Sequence, residues 1–529
     1  MRKLLDLLSS PILDNFAFFL FVFLCIASPA IYSSIYYHWT ATAMVNWGAI
    51  NVILICYVIS YIFSLISYLL SYIYKLIYDS VIKVICVLNC LISFCLIKLY
   101  GQAINEDIVA IVNGTNVVEI KEYIGTYVTT NDNIIMCTVL LVIILCISCL
   151  LNKIKVKKNL FVGCVIVGLL FMSVYVSITR QSYFKEVFPT CLESYFSYDN
   201  VDLILSNPEI EYIDEIFPEN IVIIIGESFS KSHSSLYGYE RETNPRLRGL
   251  QKDSLLTVYT NVTSPATHTI ACFKSIMSSY KPEYGKKVLW NECVTLPEVL
   301  SKAGYKTNWF SNQSKYGLHD NIITKYAELC AINKFSGDTH SGWKKYDLDE
   351  EILEIAKPFI IPQGRNAYFF HLIGSHTKFS GRYPSQFSKF KEVDYLNKME
   401  NQRKLLSEYD NSILYNDSVV CEIINMFKDK DAVVLYFSDH AIDVFESTND
   451  YIGHAIENNK KSVEFGSAIP FMIYTSPEFI RKYPEKVEMI RLSANSAFRT
   501  DDVMYSVMDL IGITIKGETL KGKSLFQLQ

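Results

Sequence analysis

The chain has 529 residues, enough by the usual domain-size prior for roughly two to four domains, so a single small binding module does not account for it. Half of the residues are apolar, 14% are aromatic and only 19% are charged, which argues against a wholly soluble or disordered chain. Lys plus Arg at 49 against Asp plus Glu at 54 leaves a net charge of −5, with no basic excess to neutralise a phosphate backbone, so nucleic acid is not an expected partner.

The apolar residues concentrate before Arg180, in long uncharged runs close to the ~20 residues an α-helix needs to cross ~30 Å of hydrocarbon. Five segments qualify: Asn15 to Tyr37, Ile50 to Leu70, Val81 to Tyr100, Ile134 to Leu151, and Leu160 to Thr179. In the third, Lys83 and Lys98 must snorkel toward the headgroups. The length of the first run, and the spans that follow it, argue against a cleaved signal peptide.

Basic residues fix the expected orientation. Arg2 and Lys3, Lys75, and the group Lys153, Lys155, Lys157 and Lys158 belong on the cytoplasmic side. Five crossings from an inner N-terminus put everything after Arg180 outside, together with the Asn105 to Asn133 loop. Nine of the fourteen cysteines lie within or beside the spans, where they read as packing residues; Cys191, Cys272, Cys293, Cys330 and Cys421 remain. An odd count offers no disulfide framework, although one or two bridges fit an oxidising compartment.

Residues 181–218 mix charges with aromatics and read as a connector along the membrane surface. From Asn220 the pattern changes to short β-branched runs separated by turns and amphipathic stretches, the signature of an α/β domain around a largely buried sheet. Ile221 to Ile225, Ala367 to Leu372, Ala432 to Phe437 and Ile469 to Tyr474 are the expected strands. The division is therefore 1–180 for a five-helix transmembrane domain, 181–218 for the connector, and 219–529 for an extracytoplasmic α/β domain.

Ligands of open α/β sheets gather beyond the carboxyl ends of strands. Gly226-Glu227-Ser228 follows one expected strand and Ser438-Asp439-His440 another. Two hard carboxylate oxygens and an imidazole nitrogen suit Zn2+ with one position left open, although each segment taken alone is weak evidence and more often reads as helix capping. Between them, the run from Thr263 to Met277 reads as a loop entering a helix, whose first turn is a ready anion site. A hydroxyl there is a weak nucleophile until a metal or a base activates it.

Asn220-Ile-Val-Ile-Ile-Ile-Gly-Glu-Ser-Phe-Ser, continuing to Ser235-Leu-Tyr-Gly-Tyr-Glu-Arg-Glu-Thr-Asn-Pro-Arg-Leu247, resembles the opening motif of the membrane-bound phosphoethanolamine transferases that decorate lipopolysaccharide, members of the sulfatase and alkaline phosphatase superfamily. The resemblance extends to the five spans and to Trp309-Phe-Ser-Asn-Gln313, His371-Leu-Ile-Gly-Ser-His376, Arg382-Tyr-Pro384, Ser438-Asp-His440 and His454. It implies that Glu227, Asp439 and His440 hold zinc. Thr269 matches the threonine that is both metal ligand and nucleophile, with Thr267 as the nearest rival. His376 and His454 match histidines that handle phosphoryl oxygens and protons, and Asn312, Gln313 and Lys315 occupy a region that contacts the donor headgroup in relatives.

The implied reaction takes phosphoethanolamine from phosphatidylethanolamine, by way of a covalent adduct on Thr269, to a lipid A phosphate or a core sugar of lipopolysaccharide. The implied place is the bacterial inner membrane with the catalytic domain in the periplasm. Two features depart from the lipid A branch: the outer cysteines are too few for its disulfides, and Ser438-Asp-His440 continues as Ala-Ile-Asp. Both lie closer to the branch acting on core sugars. Two other readings stand beside this one: a phosphoglycerol transferase of the lipoteichoic acid synthase type, and a non-catalytic membrane scaffold or sensor. A sulfatase is disfavoured, because no Cys/Ser-x-Pro-x-Arg stretch precedes a suitable helix.

Overall fold

The structure, a computed structural model, describes residues 2–38, 47–100, 121–122, 124–125, 131–154, 156, 160–179, 202–214, 217–313, 315, 322–336, 348–361, 363–448, 452–455 and 459–527. The chain divides into two compact units: 1–112 with 124–197, and 113–123 with 198–529.

The first unit is helical: α1 (Arg2–Asp14), α2 (Phe16–His38), α3 (Trp47–Leu69), α4 (Tyr72–Tyr100), α5 (Asn131–Leu151) and α6 (Leu160–Thr179). Each of the five apolar segments falls on one of α2 to α6. The chain entering α2 is an additional amphipathic helix, α1, which meets α2 at a bend of 72°. Asn15 sits at that bend, donating to Ser64 O at 3.3 Å and accepting from Lys75. Phe18, Phe21, Val22 and Cys25 of α2 pack with Cys86 and Cys90 of α4 and Ile144 of α5. Lys98 donates to Asn133 Oδ1 at 2.6 Å.

Among the described residues, Tyr72–Lys98 and Asp132–Leu151 are long and apolar enough to cross a membrane, and the bent α1–α2 pair makes a third if taken as one span. Ile53–Leu69 and Leu160–Tyr175 are shorter apolar helices. The described residues thus give two or three clear candidate spans where five were expected.

The second unit is built on a seven-stranded mixed sheet: β1 (Asn220–Gly226), β2 (Leu256–Val258), β3 (Lys306–Ser311), β4 (Ile332–Phe335), β5 (Asn366–His371), β6 (Ala432–Ser438) and β7 (Phe471–Thr475). The spatial order is β2-β7-β6-β1-β5-β3-β4. The five strands β6, β1, β5, β3 and β4 run parallel, and β7 is antiparallel to both of its neighbours. All seven residues of β1 and of β6 are buried, which is why these strands read as unbroken apolar runs rather than as alternation.

Ile221, Ile223 and Ile225 face a core shared with Cys272, Phe273 and Ile276 of a short helix, α7 (Thr269–Ile276). On the other face Phe427, beyond the end of the long helix α8 (Glu400–Asn425), packs against Tyr368 and Phe370 of β5. The four strands expected from the sequence are present; β2, β3 and β4 were not foreseen. Of the outer cysteines, Cys272, Cys293, Cys330 and Cys421 are buried free thiols, and Cys191 lies outside the described residues. So does most of the 181–218 connector; its Ile210–Tyr212 pairs antiparallel with Ile513–Ile515.

Candidate metal centre

The register of β1 and β6 builds the site. Gly226 lies opposite Ser438, so the residues that follow, Glu227 and Asp439, emerge side by side at the carboxyl edge of the sheet. Ser228 adopts φ 58°, a left-handed backbone uncommon for a residue with a Cβ, and this bend turns the chain sharply after Glu227. Tyr409 of α8 holds the bend, accepting from Ser230 N and donating to Ser228 O, both at 2.8 Å. Gly374, at φ 51°, packs so closely that a Cβ there would meet the Glu227 backbone oxygen at 2.7 Å.

Thr269, the first residue of α7, completes the cluster. Its hydroxyl lies 3.1 Å from Glu227 Oε2 and 3.2 Å from His440 Nε2. His440 Nε2 is 3.2 Å from Glu227 Oε1 and 3.6 Å from Asp439 Oδ2. Glu227, Asp439 and His440 are buried, and their ligand atoms all lie within 4.8 Å of one another. His440 Nδ1 donates to Ala441 O at 2.9 Å, which leaves Nε2 to present its lone pair to the cluster.

The electrostatics are those of a site short of positive charge. Burial and the charge of Glu227 push the Asp439 carboxyl well up. Burial would raise Glu227 too, but the His440 imidazole outweighs it and holds that carboxyl well below the usual range. Burial opposes the charge on His440, yet the carboxylates of Asp439 and Glu227 draw it up to about 9. Asp439 Oδ2 is buried and accepts no hydrogen bond among the described residues. A divalent cation in the place of the shared proton satisfies both carboxylates and the imidazole at once, so the residues present fit a metal.

Two further histidines lie beside the cluster. His454 stacks obliquely on His440, with ring centroids 4.9 Å apart, and its Nδ1 donates to Thr267 O at 3.0 Å. His376 Nδ1 is enclosed and takes no hydrogen bond among the described residues. Burial holds His376 down at about 3 and His454 at about 4, so both are neutral bases at ordinary pH. The backbone N–H groups opening α7 have no side-chain cap from His268, which leaves donors beside Thr269 for an anion.

The structure therefore brings Glu227, Thr269, Asp439 and His440 together, with His376 and His454 at the rim. Thr267 contributes its carbonyl to His454. The remaining three expected residues have other partners. Asn312 donates to Asp349 Oδ1 at 2.8 Å, Gln313 donates to Leu372 O at 3.0 Å, and Lys315 lies 3.8 Å from Glu328.

Sequence reasoning missed Asp349, a buried carboxylate that accepts from Ile373 N and Gly374 N at 2.9 Å each and so shapes the loop that carries His376. It follows no apolar run in the sequence, so nothing marked it. His268, which burial holds at about 3, was also passed over, although its place directly before Thr269 was a usable signal.

Comparison with known proteins places this geometry. Residues 219–513 match the family model described as Sulfatase. The chain is 28% identical over 311 residues to the phosphoethanolamine transferase EptC of Escherichia coli K12, covering 57% of this chain and 52% of that protein. To the phosphoethanolamine transferase EptA of Helicobacter pylori it is 29% identical over 282 residues, covering 50% and 49%. It thus spans about half the length of the curated relatives it matches.

Among solved structures, the C-terminal periplasmic domain of Escherichia coli EptC, in complex with Zn, superposes with a TM-score of 0.55 at 25% identity, covering 62% of this chain and 90% of that one. The integral membrane lipooligosaccharide phosphoethanolamine transferase A of Neisseria meningitidis gives 0.66 at 18% identity over 94% of each chain, a likeness of fold. With its family model matched over more than half its length and a polar cluster at the strand ends of its sheet, the chain belongs to the sulfatase family.

Proposed function

We propose that this protein transfers phosphoethanolamine from phosphatidylethanolamine to lipopolysaccharide, on a lipid A phosphate or a core sugar, through a covalent phosphoethanolamine ester of Thr269. One observation carries the reading: the Thr269 hydroxyl stands at a helix start, 3.1 Å from Glu227 and 3.2 Å from His440, two members of the buried Glu227, Asp439 and His440 cluster. The names of the relatives and the Zn complex of one of them support the choice of group and of metal.

Glu227, Asp439, His440 and Thr269 would hold Zn2+, which when bound supplies a lowered hydroxyl pKa and neutralises charge on the donor phosphate. Thr269 Oγ1 then forms a bond to phosphorus while the bond from phosphorus to the diacylglycerol oxygen breaks, and the hydroxyl proton passes to the leaving oxygen. The uncapped N–H groups opening α7 receive a phosphoryl oxygen. In the second half, the acceptor oxygen bonds to phosphorus as the Thr269 ester breaks. His376 or His454, neutral at the working pH, takes the proton of a hydroxyl acceptor and passes it to the departing Thr269 oxygen, which restores the hydroxyl; a phosphate acceptor leaves that oxygen to be protonated from water. This reading assigns Asn312, Gln313 and Lys315 to the donor headgroup; Asn312 and Gln313 also bond Asp349 and Leu372 O at the base of the His376 loop. Ping-pong kinetics follow.

The same reading assigns 1–180 to a transmembrane domain of five spans with a cytoplasmic N-terminus in the bacterial inner membrane. It assigns 181–218 to a connector along the membrane surface and 219–529 to a periplasmic catalytic domain. Donor and acceptor are both lipids, and a membrane anchor holds the site at high effective concentration near them. The test is headgroup analysis with purified protein in phospholipid vesicles. Diacylglycerol released from phosphatidylethanolamine and not from phosphatidylglycerol, with loss of release in Thr269→Ala, is the expected result. Release from phosphatidylglycerol instead would favour a phosphoglycerol transferase, and no release from either lipid a scaffold.

A further inference from the structure

The loop from Leu372 to Arg382 carries His376, and two devices hold it. At its front, Asp349 accepts from Ile373 N and Gly374 N, and Ser375 N donates to Glu227 O at 3.0 Å. At its back, the Arg382 guanidinium reaches into the loop: Nε donates to the carbonyl of His376 itself at 3.2 Å, and Nη2 donates to that of Thr377 at 2.8 Å. Phe379, between them, packs edge-on against Tyr409, the residue that fixes the bend after Glu227.

Arg382 is only 2% exposed, and a guanidinium that cannot shed its charge needs a counter-charge at such depth. Asp349 lies near enough to interact with the guanidinium, and the carboxylate that bonds it directly is Glu122, 6% exposed, whose Oε2 accepts from Arg382 Nη2. The partners are 260 positions apart. Glu122 lies in the stretch of sequence joining α4 to α5, and residues 113–123 belong to the same compact unit as the metal cluster.

We propose that Glu122 is a positioning residue for His376: by neutralising and aiming Arg382 it fixes the two carbonyls that set the imidazole at the rim of the metal centre. The segment between two apolar helices thereby becomes a condition for an ordered His376. With Glu122 withdrawn, Arg382 would lose the carboxylate that aims its outer nitrogen, with Asp349 left as a charge nearby, and its hold on the two carbonyls would loosen. A lysine at 382 could not replace it, since one ammonium does not reproduce a planar fork shared between two carbonyls and a carboxylate. The proposal rests on the reading above, in which His376 serves the transfer.

The experiment uses the full chain, loaded with zinc in detergent, and Glu122→Gln, which keeps side-chain volume. Amide hydrogen exchange over 373–382 reads the loop directly, and headgroup release from phosphatidylethanolamine is measured for Glu122→Gln, His376→Ala and the double variant. The expected result is faster exchange in 376–382 with zinc content unchanged. We also expect a kcat loss of roughly tenfold to a hundredfold with KM little altered, as for removal of an outer-shell partner, and no further loss when His376 is already Ala. Arg382→Lys should reproduce the pattern.

Unchanged exchange in Glu122→Gln overturns the proposal, and so does the same fold-loss in both backgrounds, which would mark a general structural role. If His376→Ala alone turns over like the unmodified protein, the role given to His376 fails. Exchange then still decides the Glu122 link, faster exchange upholding it and unchanged exchange overturning it.

Discussion

At the candidate metal centre, three titratable side chains from two strand ends, with the Thr269 hydroxyl from a helix start beside them, share a space in which their charges conflict. Burial raises Asp439, the His440 imidazole pulls Glu227 down, and the two carboxylates pull His440 up to about 9. A bound cation resolves the conflict, so Asp439→Asn should weaken zinc retention against a chelator by more than about tenfold, read as metal per protein after dialysis. Retention equal to the unmodified protein would count against Asp439 as a ligand. Thr269→Ala should cut headgroup release by about a thousandfold or more, while Thr269→Ser keeps part of it.

A second buried imidazole gives a pH signature away from the metal. Burial opposes charge on His233, but Asp410 at 2.6 Å raises it above the ordinary imidazole value of 6.5. A raised folded pKa means stabilisation that is complete below the unfolded pKa and lost as pH rises through the folded one. The thermal midpoint should therefore fall as pH rises from about 6.5 through the raised folded value in the unmodified protein, and fall less in His233→Gln. Parallel profiles would contradict the assignment.

Among elements, β1 and β6 were legible because both faces are buried, which forces unbroken β-branched and aromatic runs onto the sequence. Their register then delivers Glu227 and Asp439 together, so half of the site followed from recognising two strands. β3 escaped because Lys306-Thr-Asn-Trp-Phe-Ser311 buries Thr307, Asn308 and Ser311, whose polar side chains disguise a buried strand. β2 and β4 are short strands at the two edges of the sheet. The turn at Gly374 is a test at this scale: φ 51° and a Cβ position 2.7 Å from Glu227 O predict that Gly374→Ala costs at least about 1–3 kcal/mol of stability. It should lower zinc affinity as well, by displacing Glu227. A variant as stable as the parent would show that the close approach relaxes freely.

In the whole molecule, the division into an apolar helical part and an α/β part was written in the distribution of charge and hydropathy. α1 was not, since its charged ends read as a flank of the first span, and the 72° bend at Asn15 depends on partners in α3 and α4. Glu122 and Arg382 carry no local signature either, because a buried pair between positions so far apart becomes visible only when the fold closes. The proposed topology predicts that a reporter inserted near Lys155 is active in the cytoplasm and one fused after Gln529 is active in the periplasm; both on one side would reverse the parity of the spans.

The central claim is that Thr269 carries the transferred group. Incubating the full-length protein with phosphatidylethanolamine in the absence of acceptor, then mapping adducts by peptide mass spectrometry, tests it most directly. A phosphoethanolamine ester on Thr269, discharged when lipopolysaccharide is added, is the predicted result; headgroup release that leaves Thr269 unmodified, or an adduct on Thr267 instead, would contradict it.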